Sequence, residues 1–149
     1  MRLDKIFERV AVKEIVGSWS VEIESLTMDS RKAQRGVLFV AIEGTVVDGH
    51  SFIGPAVESG ASAVVCNRLP EERREGVTYI AVEDTSEAIG WMASNFYDRP
   101  SEKLALVGVT GTNGKTTTAT LLYDMFSAMG YPSGLISTVV YRIAERRID

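Results

Sequence analysis

The first hundred residues alternate between apolar runs of strand length and stretches with a helical spacing of apolar side chains. Continuous apolar runs at Gly36–Ile42, Ala61–Asn67 and Val77–Val82 are typical of buried strands, and Ser20–Met28 alternates like a half-buried strand. Three other stretches repeat every three or four residues, as amphipathic helices do. Their apolar positions are Leu3, Ile6, Phe7 and Val10; Phe52, Ile53, Ala56 and Val57; and Ala88, Ile89, Met92, Ala93, Phe96 and Tyr97. The pattern predicts an α/β fold.

Helix-ending and helix-starting residues divide the chain. Gly60 is suited to the left-handed position after the second helix, and Asp84 followed by Glu87 resembles a capping box that opens the third. Pro100 cannot extend that helix and restricts the residue before it, so Arg99–Lys103 is a candidate linker. We therefore predict one domain over residues 1–99 and the start of a second over residues 100–149.

The second part reads as strand, glycine loop and helix. Leu104–Val109 is apolar at every position except its glycine, as expected for a parallel strand covered on both faces. A helix is predicted from Thr116 until Gly130 ends it and Pro132 prevents its resumption. Its apolar face consists of Leu121, Leu122, Met125, Phe126 and Met129.

The loop between them has the chemistry of a phosphate site. Gly111 and Gly114 allow successive backbone N–H groups to curve around phosphate oxygens, and the helix start favours an anion. Lys115 can reach the outer phosphates, and the hydroxyl of Thr116 can bind a phosphate-bound Mg²⁺.

Two nucleotide classes fit this loop to different degrees. The strict P-loop pattern requires glycine six positions before the lysine, where this chain has Val109. Gly108, Gly111 and Gly114 instead have a spacing close to that of dinucleotide-binding loops. Such loops usually continue with apolar residues, whereas Lys115 supplies a cation, so a nucleoside triphosphate is favoured over a dinucleotide.

Composition narrows the function classes further. The chain has 149 residues, of which 45% are apolar and 24% charged, and this composition is typical of a globular protein. Its net charge of −4 argues against a surface that binds nucleic acid, because such a surface needs basic residues to neutralise phosphates. Its single cysteine, Cys66, allows no internal disulfide and fits a reducing compartment. No apolar run approaches the roughly 20 residues that span a bilayer. We expect a cytoplasmic protein without nucleic-acid or membrane partners.

Five sequence segments together resemble the Mur ligase family. The loop TGTNGKT matches the ATP loop of these enzymes, which does not follow the strict P-loop spacing. DSR at Asp29–Arg31, GVLFVA, GTVVDGH at Gly44–His50 and AVESGA resemble the uridine-nucleotide domain of the ligases that add the third residue of the peptidoglycan stem. The resemblance covers roughly Leu26 to Val140. It implies a small uridine-nucleotide-binding α/β domain followed by the first β-α-β of a P-loop-type ATP-binding domain.

The resemblance also implies site residues. Met28, Ser30, Thr45, Val46 and Val47 match positions that hold the UDP part of the substrate. The positions that match the ATP loop are Gly111, Thr112, Asn113, Gly114, Lys115, Thr116 and Thr117, with Lys115 catalytic and Thr116 the metal ligand. His50 is expected to be a hydrogen-bonding loop residue rather than a base, and Asp29 and Arg31 can equally form an internal ion pair that shapes the turn.

The implied reaction is ATP-dependent and uses Mg²⁺. It adds diaminopimelate or lysine to UDP-N-acetylmuramoyl-L-alanyl-D-glutamate, so ATP, the UDP-N-acetylmuramoyl-dipeptide and an amino acid are the expected partners of a monomeric enzyme. Three alternatives stay open: the sibling D-alanyl-D-alanine-adding ligase, a nicotinamide-dinucleotide reductase and a non-catalytic UDP-sugar-binding module. Because only GLISTVVYRI follows the predicted helix, we expect the remaining domains to be absent and the chain alone to be inactive.

Overall fold

A computed structural model describes residues 1–44, 47–143 and 146–148. The chain forms two compact units, Met1–Leu104 and Ala105–Asp149. We call them the first and second unit and describe each by itself.

Within the described residues 1–44 and 47–104, the first unit forms a five-stranded sheet and three α-helices. The strands are β1 (Val12–Val16), β2 (Ser25–Thr27), β3 (Val37–Val40), β4 (Ala63–Cys66) and β5 (Thr78–Val82), and the helices are α1 (Leu3–Ile6), α2 (Ile53–Glu58) and α3 (Thr85–Phe96). The sheet order is β1-β5-β4-β3-β2. β2 to β5 run parallel to one another, and β1 closes one edge antiparallel to β5. The α/β prediction is confirmed.

Side chains alternate between the two faces of the sheet, as the period of two requires. On β3, Leu38 and Val40 point toward the cluster that contains α1 and α3, whereas Phe39 points toward the cluster that contains α2. All four residues of β3 and of β4 are buried. This two-sided burial explains why the strands read as continuous apolar runs.

The predicted strand over Ser20–Met28 is wrong over most of its length, because only Ser25–Thr27 joins the sheet. The part before it pairs with the start of the chain: Leu3 N donates to Val21 O at 2.9 Å, and Ile23 N donates to Met1 O at 2.8 Å. The edge strand β1 was not predicted.

A buried asparagine joins the end of α3 to the segment that follows α1. Asn95 is 7% exposed, and its Nδ2 donates to the carbonyls of Ile6 (3.0 Å) and Glu8 (2.7 Å). Arg99 donates to Asn95 Oδ1 at 3.3 Å and forms an ion pair with Glu8 at 2.6 Å. Asp98 and Arg99 both have a positive φ, at 61° and 50°. The contacts of Asn95 and Arg99 tie the end of α3 to the start of the chain.

The segment that was predicted as a linker, Arg99–Lys103, contains a 3₁₀ turn over Pro100–Lys103. Lys103 pairs with Asp98 at 2.5 Å, and Glu102 pairs with Arg9 at 3.4 Å. The first unit extends through this segment to Leu104.

The second unit contains α4 (Lys115–Ala128) and a three-stranded antiparallel sheet of β6 (Gly134–Ile136), β7 (Tyr141–Ile143) and β8 (Arg146–Ile148). The predicted helix is confirmed, and Gly130 follows its end with a φ of 84°.

The predicted strand over Leu104–Val109 is not formed, so the expected β-α-β lacks its first strand. Leu106 is 86% exposed. A strand requires a hydrogen-bonded neighbour, and within the described residues no strand pairs with this segment. For the same reason the apolar face of α4 lies exposed: α4 has no buried residue.

Candidate functional site

The carboxyl ends of β2, β3, β4 and β5 meet at one edge of the first unit's sheet, because these four strands are parallel. This edge is the usual ligand-binding position of open α/β sheets. The residues that follow the strands there are Met28 after β2, Ala41 after β3, Asn67 after β4 and Glu83 after β5. We call this the carboxyl edge.

The turn after β2 is shaped by Asp29. Its carboxylate accepts from Arg31 N at 3.1 Å and binds the Arg31 guanidinium through both oxygens, at 2.8 and 2.9 Å. The Arg31 side chain and backbone N–H together lower the pKa of Asp29 to about 2. The pair is therefore an internal ion pair that caps the 3₁₀ turn Ser30–Lys32.

Two predicted uridine-site residues flank this turn. Met28 is 60% exposed at the carboxyl edge, and Ser30 is half-buried at the start of the 3₁₀ turn. The turn thus presents an apolar side chain and a hydroxyl close together in sequence.

In the loop after β3, the residues on either side of positions 45 and 46 pair with one another, and we call the paired residues 43–44 and 47–48 the hairpin. Glu43 and Asp48 form an antiparallel bridge, and Gly44 N donates to Val47 O at 3.1 Å. Val47 is 54% exposed at the carboxyl edge. The other predicted uridine-site residues of this loop, Thr45 and Val46, lie outside the described residues.

Gly49 allows the hairpin to lie against the end of β3. Its N–H donates to Ile42 O at 2.8 Å, and a Cβ at this position would lie 2.5 and 2.6 Å from the backbone O and N of Ile42. Only glycine permits this approach without a displacement of the backbone. The glycine of the DGH sequence is thus explained by packing.

His50 uses both of its ring nitrogens within the first unit. Nδ1 lies 2.6 Å from Asp48 Oδ1, and Asn67 N donates to Nε2 at 3.0 Å. Because Nε2 accepts the Asn67 N–H, Nδ1 is the ring nitrogen that can donate to Asp48. Asp48 in turn accepts from Arg68 at 2.9 Å. The contacts of His50 are those of a hydrogen-bonding loop residue, as the sequence predicted.

A shallow cavity of about 440 Å³ lies beside these residues at the carboxyl edge. It is lined by Glu43, Asn67, Glu83, Asp84, Thr85 and Ser86. Asn67 Nδ2 donates to Glu83 O at 2.8 Å, and Thr85, which is buried, donates to Asn67 Oδ1 at 3.0 Å. Asn67 was not among the residues predicted from the sequence. Its position directly after a buried parallel strand was the available signal.

The glycine loop of the second unit is followed at once by α4. Gly111 and Gly114 have φ values of 150° and 77°, and α4 begins at Lys115. The N–H groups of a first helical turn have no intrahelical acceptor and favour an anion. The other predicted loop residues, Thr112, Asn113 and Thr117, are exposed, and Thr116 is half-buried in the first turn. The two glycines thus precede the helix start directly, and phosphate binding by this loop stays a prediction.

Lys115 is bent back over this loop. Its Nζ donates to the carbonyls of Gly111 and Thr112. The ammonium group therefore lies beside the loop, where the phosphates are expected.

Residues 1–44, 47–143 and 146–148 contain no group of three or more His, Cys, Asp and Glu residues that could hold a metal ion. No helix among them is long and apolar enough to cross a bilayer.

Two family models match the chain. The model described as "Mur ligase family, catalytic domain" matches residues 22–97, and the "Mur ligase middle domain" matches residues 109–149. A 2,6-diaminopimelate ligase of UDP-N-acetylmuramoyl-L-alanyl-D-glutamate from Phocaeicola vulgatus is 54% identical over 99% of the chain, and the corresponding ligase of Cytophaga hutchinsonii is 50% identical over 100%. The chain spans about a third of the length of each, 31%.

Solved structures show the same fold. A structure titled as a ligase of the same name aligns with 99% of this chain and 29% of its own, at a TM-score of 0.74 and 22% identity, which supports the fold alone. A D-alanyl-D-alanyl ligase from Acinetobacter baumannii aligns with 72% of this chain and 23% of its own, at a TM-score of 0.56 and 28% identity. Since one family model alone covers half of the residues and a second covers most of the rest, the chain belongs to the Mur ligase family.

Proposed function

We propose that this chain is part of an ATP-dependent ligase that adds the third amino acid to UDP-N-acetylmuramoyl-L-alanyl-D-glutamate in peptidoglycan synthesis. The observation that carries the proposal is the glycine loop with Lys115 at the start of α4, in a chain whose relatives at 50–54% identity are diaminopimelate ligases. These names favour diaminopimelate over lysine as the added residue.

The first 99 residues form the domain for the UDP substrate in this proposal, and residues 100–149 begin the ATP-binding domain. The family matches to residues 22–97 and 109–149 support this division. Met28, Ser30, Thr45, Val46 and Val47 hold the uridine nucleotide in this proposal, and the exposure of Met28 and Val47 leaves their side chains accessible to it.

The glycine loop would bind the ATP phosphates. The reaction transfers the γ-phosphoryl group to the substrate carboxylate, which gives an acyl phosphate and ADP. The amine of the amino acid then attacks the acyl carbon, an amide forms and phosphate leaves. Lys115 neutralises charge on the transferring group, which is the main task of a phosphoryl-transfer site.

Residues Gly111 to Thr117 fit a nucleotide bound with Mg²⁺. The Thr116 hydroxyl supplies one oxygen ligand at the helix start, and Mg²⁺, when bound, neutralises charge on the phosphate oxygens. Because ATP is an intracellular substrate, the proposal implies a cytoplasmic enzyme. That the enzyme is a monomer stays a prediction.

The other candidate functions have weaker support. Against the D-alanyl-D-alanine-adding ligase stand the curated relatives at 50–54% identity, which are diaminopimelate ligases, whereas the Acinetobacter baumannii structure of the sibling enzyme is 28% identical. The family membership argues against a nicotinamide-dinucleotide reductase. A non-catalytic module would not require Lys115 in the glycine loop.

A chimera tests the proposal. We would replace the matching third of the Phocaeicola vulgatus ligase with these 149 residues and measure phosphate release that depends on diaminopimelate. Lys115→Ala should lower the rate by roughly 10²- to 10⁵-fold, because it removes a group that stabilises the transferring phosphoryl. Lys103→Ala, which removes an exposed lysine paired only with Asp98, is the matched control and should retain the rate. An active Lys115→Ala chimera would disprove the assignment.

The 149-residue chain by itself should release no phosphate with any combination of substrates. It should nevertheless bind UDP-N-acetylmuramoyl-dipeptide, because the predicted uridine-site residues are all within it. Calorimetric titration measures this binding directly.

A further inference from the structure

His50 holds the hairpin after β3 through contacts at two separate points. Only 9% of its side chain is exposed, although it lies in a loop at the carboxyl edge. Nδ1 binds Asp48, at the base of the hairpin, and Nε2 accepts the N–H of Asn67, the residue that follows β4. The imidazole therefore bridges the hairpin to the neighbouring strand.

Each end of this bridge is fixed by further bonds. On the hairpin side, Asp48 pairs with Glu43 across the strand bridge and accepts from His50 N at 2.9 Å. On the other side, the amide of Asn67 binds Glu83 O and the hydroxyl of the buried Thr85. The position of the hairpin is thus tied through His50 to the carboxyl ends of both β4 and β5.

We infer that His50 is a positioning residue for the nucleotide part of the UDP substrate, acting through Val47 and the hairpin base rather than by touching the reacting atoms. The inference rests on the proposed function, which gives this hairpin a uridine-nucleotide ligand. The Nε2 contact carries the effect, because it joins the hairpin to the residue after β4 through a side chain that is only 9% exposed, whereas the second such contact, from Arg68 to Asp48, is made by an exposed arginine. The Nδ1 contact to Asp48 is local, two residues away in sequence.

Two substitutions separate the contacts. In His50→Gln, the amide oxygen can reach the position of Nε2 and accept from Asn67, but the bond to Asp48 is lost. In His50→Asn, the shorter amide can replace Nδ1 and donate to Asp48, but it cannot reach Asn67. Both variants replace the imidazole with an uncharged amide, and they differ by one methylene group and by the bond that each retains.

The measurement is calorimetric titration of the 149-residue chain and its variants with UDP-N-acetylmuramoyl-dipeptide. A typical hydrogen bond contributes about 1 kcal/mol net, so His50→Asn should raise the dissociation constant roughly 5- to 10-fold. His50→Gln should stay within about threefold of the unsubstituted chain. Binding of a fluorescent ATP analogue should be unchanged in both, and thermal unfolding checks that each variant is folded.

Thr85→Val provides a second test that leaves the hairpin itself intact. It removes the hydroxyl that supports the Asn67 amide at nearly constant volume, and should weaken binding of the UDP substrate by a few fold.

The outcomes separate the two proposals. If the unsubstituted chain binds the substrate and both His50 variants bind equally well, or weaken equally in proportion to their lost thermal stability, the positioning role is disproved. If ATP-analogue binding falls together with substrate binding, the effect is general and the positioning role is again disproved. If the unsubstituted chain binds no UDP compound, the proposed function fails and the positioning role with it.

Discussion

Replacement of Asn95 by alanine tests the buried polar contact between the end of α3 and the segment after α1. The change removes the two hydrogen bonds from Nδ2 to Ile6 O and Glu8 O, and leaves the Ile6 carbonyl without that partner in a buried position. Two such bonds contribute about 1–3 kcal/mol, and an unpaired buried carbonyl adds to the loss. Alanine recovers about 0.5 kcal/mol through its higher helix propensity. We expect a net loss of about 2 kcal/mol in the free energy of unfolding.

Urea unfolding of the 149-residue chain, followed by tryptophan fluorescence, measures this loss. Both tryptophans, Trp19 and Trp91, lie in the first unit, so their emission reports on the unit that contains Asn95. A loss of 2 kcal/mol corresponds to a fall of roughly 8–16 °C in the melting temperature of a domain of this size.

The control is Asn113→Ala, which removes an exposed asparagine of the second unit and should change the unfolding of the first unit by less than about 0.5 kcal/mol. If Asn95→Ala and the control differ by less than that amount, the bridging bonds do not stabilise the fold and our reasoning is refuted.

Three further predictions follow from local geometry. Gly49→Ala should lower the free energy of unfolding in urea by about 1–3 kcal/mol, because the new Cβ would overlap backbone atoms. The control is Gly54→Ala, whose Cβ meets nothing within 4 Å and which should not destabilise the chain. Equal losses in the two variants would contradict this reasoning. Arg31 lowers the pKa of Asp29 from 3.8 to about 2, so the pair stabilises the fold fully above about pH 4 and this contribution disappears as the pH falls toward 2. Asp29→Asn should therefore flatten the melting temperature over that interval, and an unchanged slope would oppose it. Burial raises the pKa of the Cys66 thiol to about 11, so it should resist a thiol-specific chromogenic reagent at pH 8 until urea unfolds the chain; rapid labelling without urea would show that the thiol is accessible.

The strands in the interior of the first unit were predicted well from the sequence. Because β3, β4 and β5 are buried on both faces, their residues form uninterrupted apolar runs. The edges were predicted poorly. β1 has exposed residues at Lys13 and Glu14, so it lacks such a run. The alternation before β2 predicted a strand, but it could not reveal that Val21 and Ile23 bond to the N-terminal segment instead of the sheet.

In the second unit, a strand was predicted that the structure does not contain. Leu104–Val109 has the composition of a buried strand, but composition does not provide the neighbouring strands to which it must bond. The helix α4 was predicted correctly because the residues that end it act locally.

The candidate site divides in the same way. Lys115 and the loop glycines follow a local motif, and the Asp29–Arg31 pair joins near neighbours in sequence. Asn67 was missed because its contacts, to His50, Glu83 and Thr85, all cross between separate elements. Such contacts depend on the register of parallel strands, which the apolar pattern does not specify at the level of single side chains.

The antiparallel pairing of β1 with β5 has a consequence for synthesis on the ribosome. Val12 pairs with Val82, about seventy positions later in the chain. At a translation rate of roughly 5–20 residues per second, β1 leaves the ribosome roughly 4–14 seconds before its partner exists. Until then the backbone donors and acceptors of β1 that later bond to β5 bind water or a chaperone. The apolar side chains of α1 likewise have no packing partner until α3 has been made. Because β1 can pair only after β5 has been made, this edge of the first unit's sheet forms late in synthesis. Nascent chains that end before β5 should therefore be the species most exposed to proteolysis and aggregation.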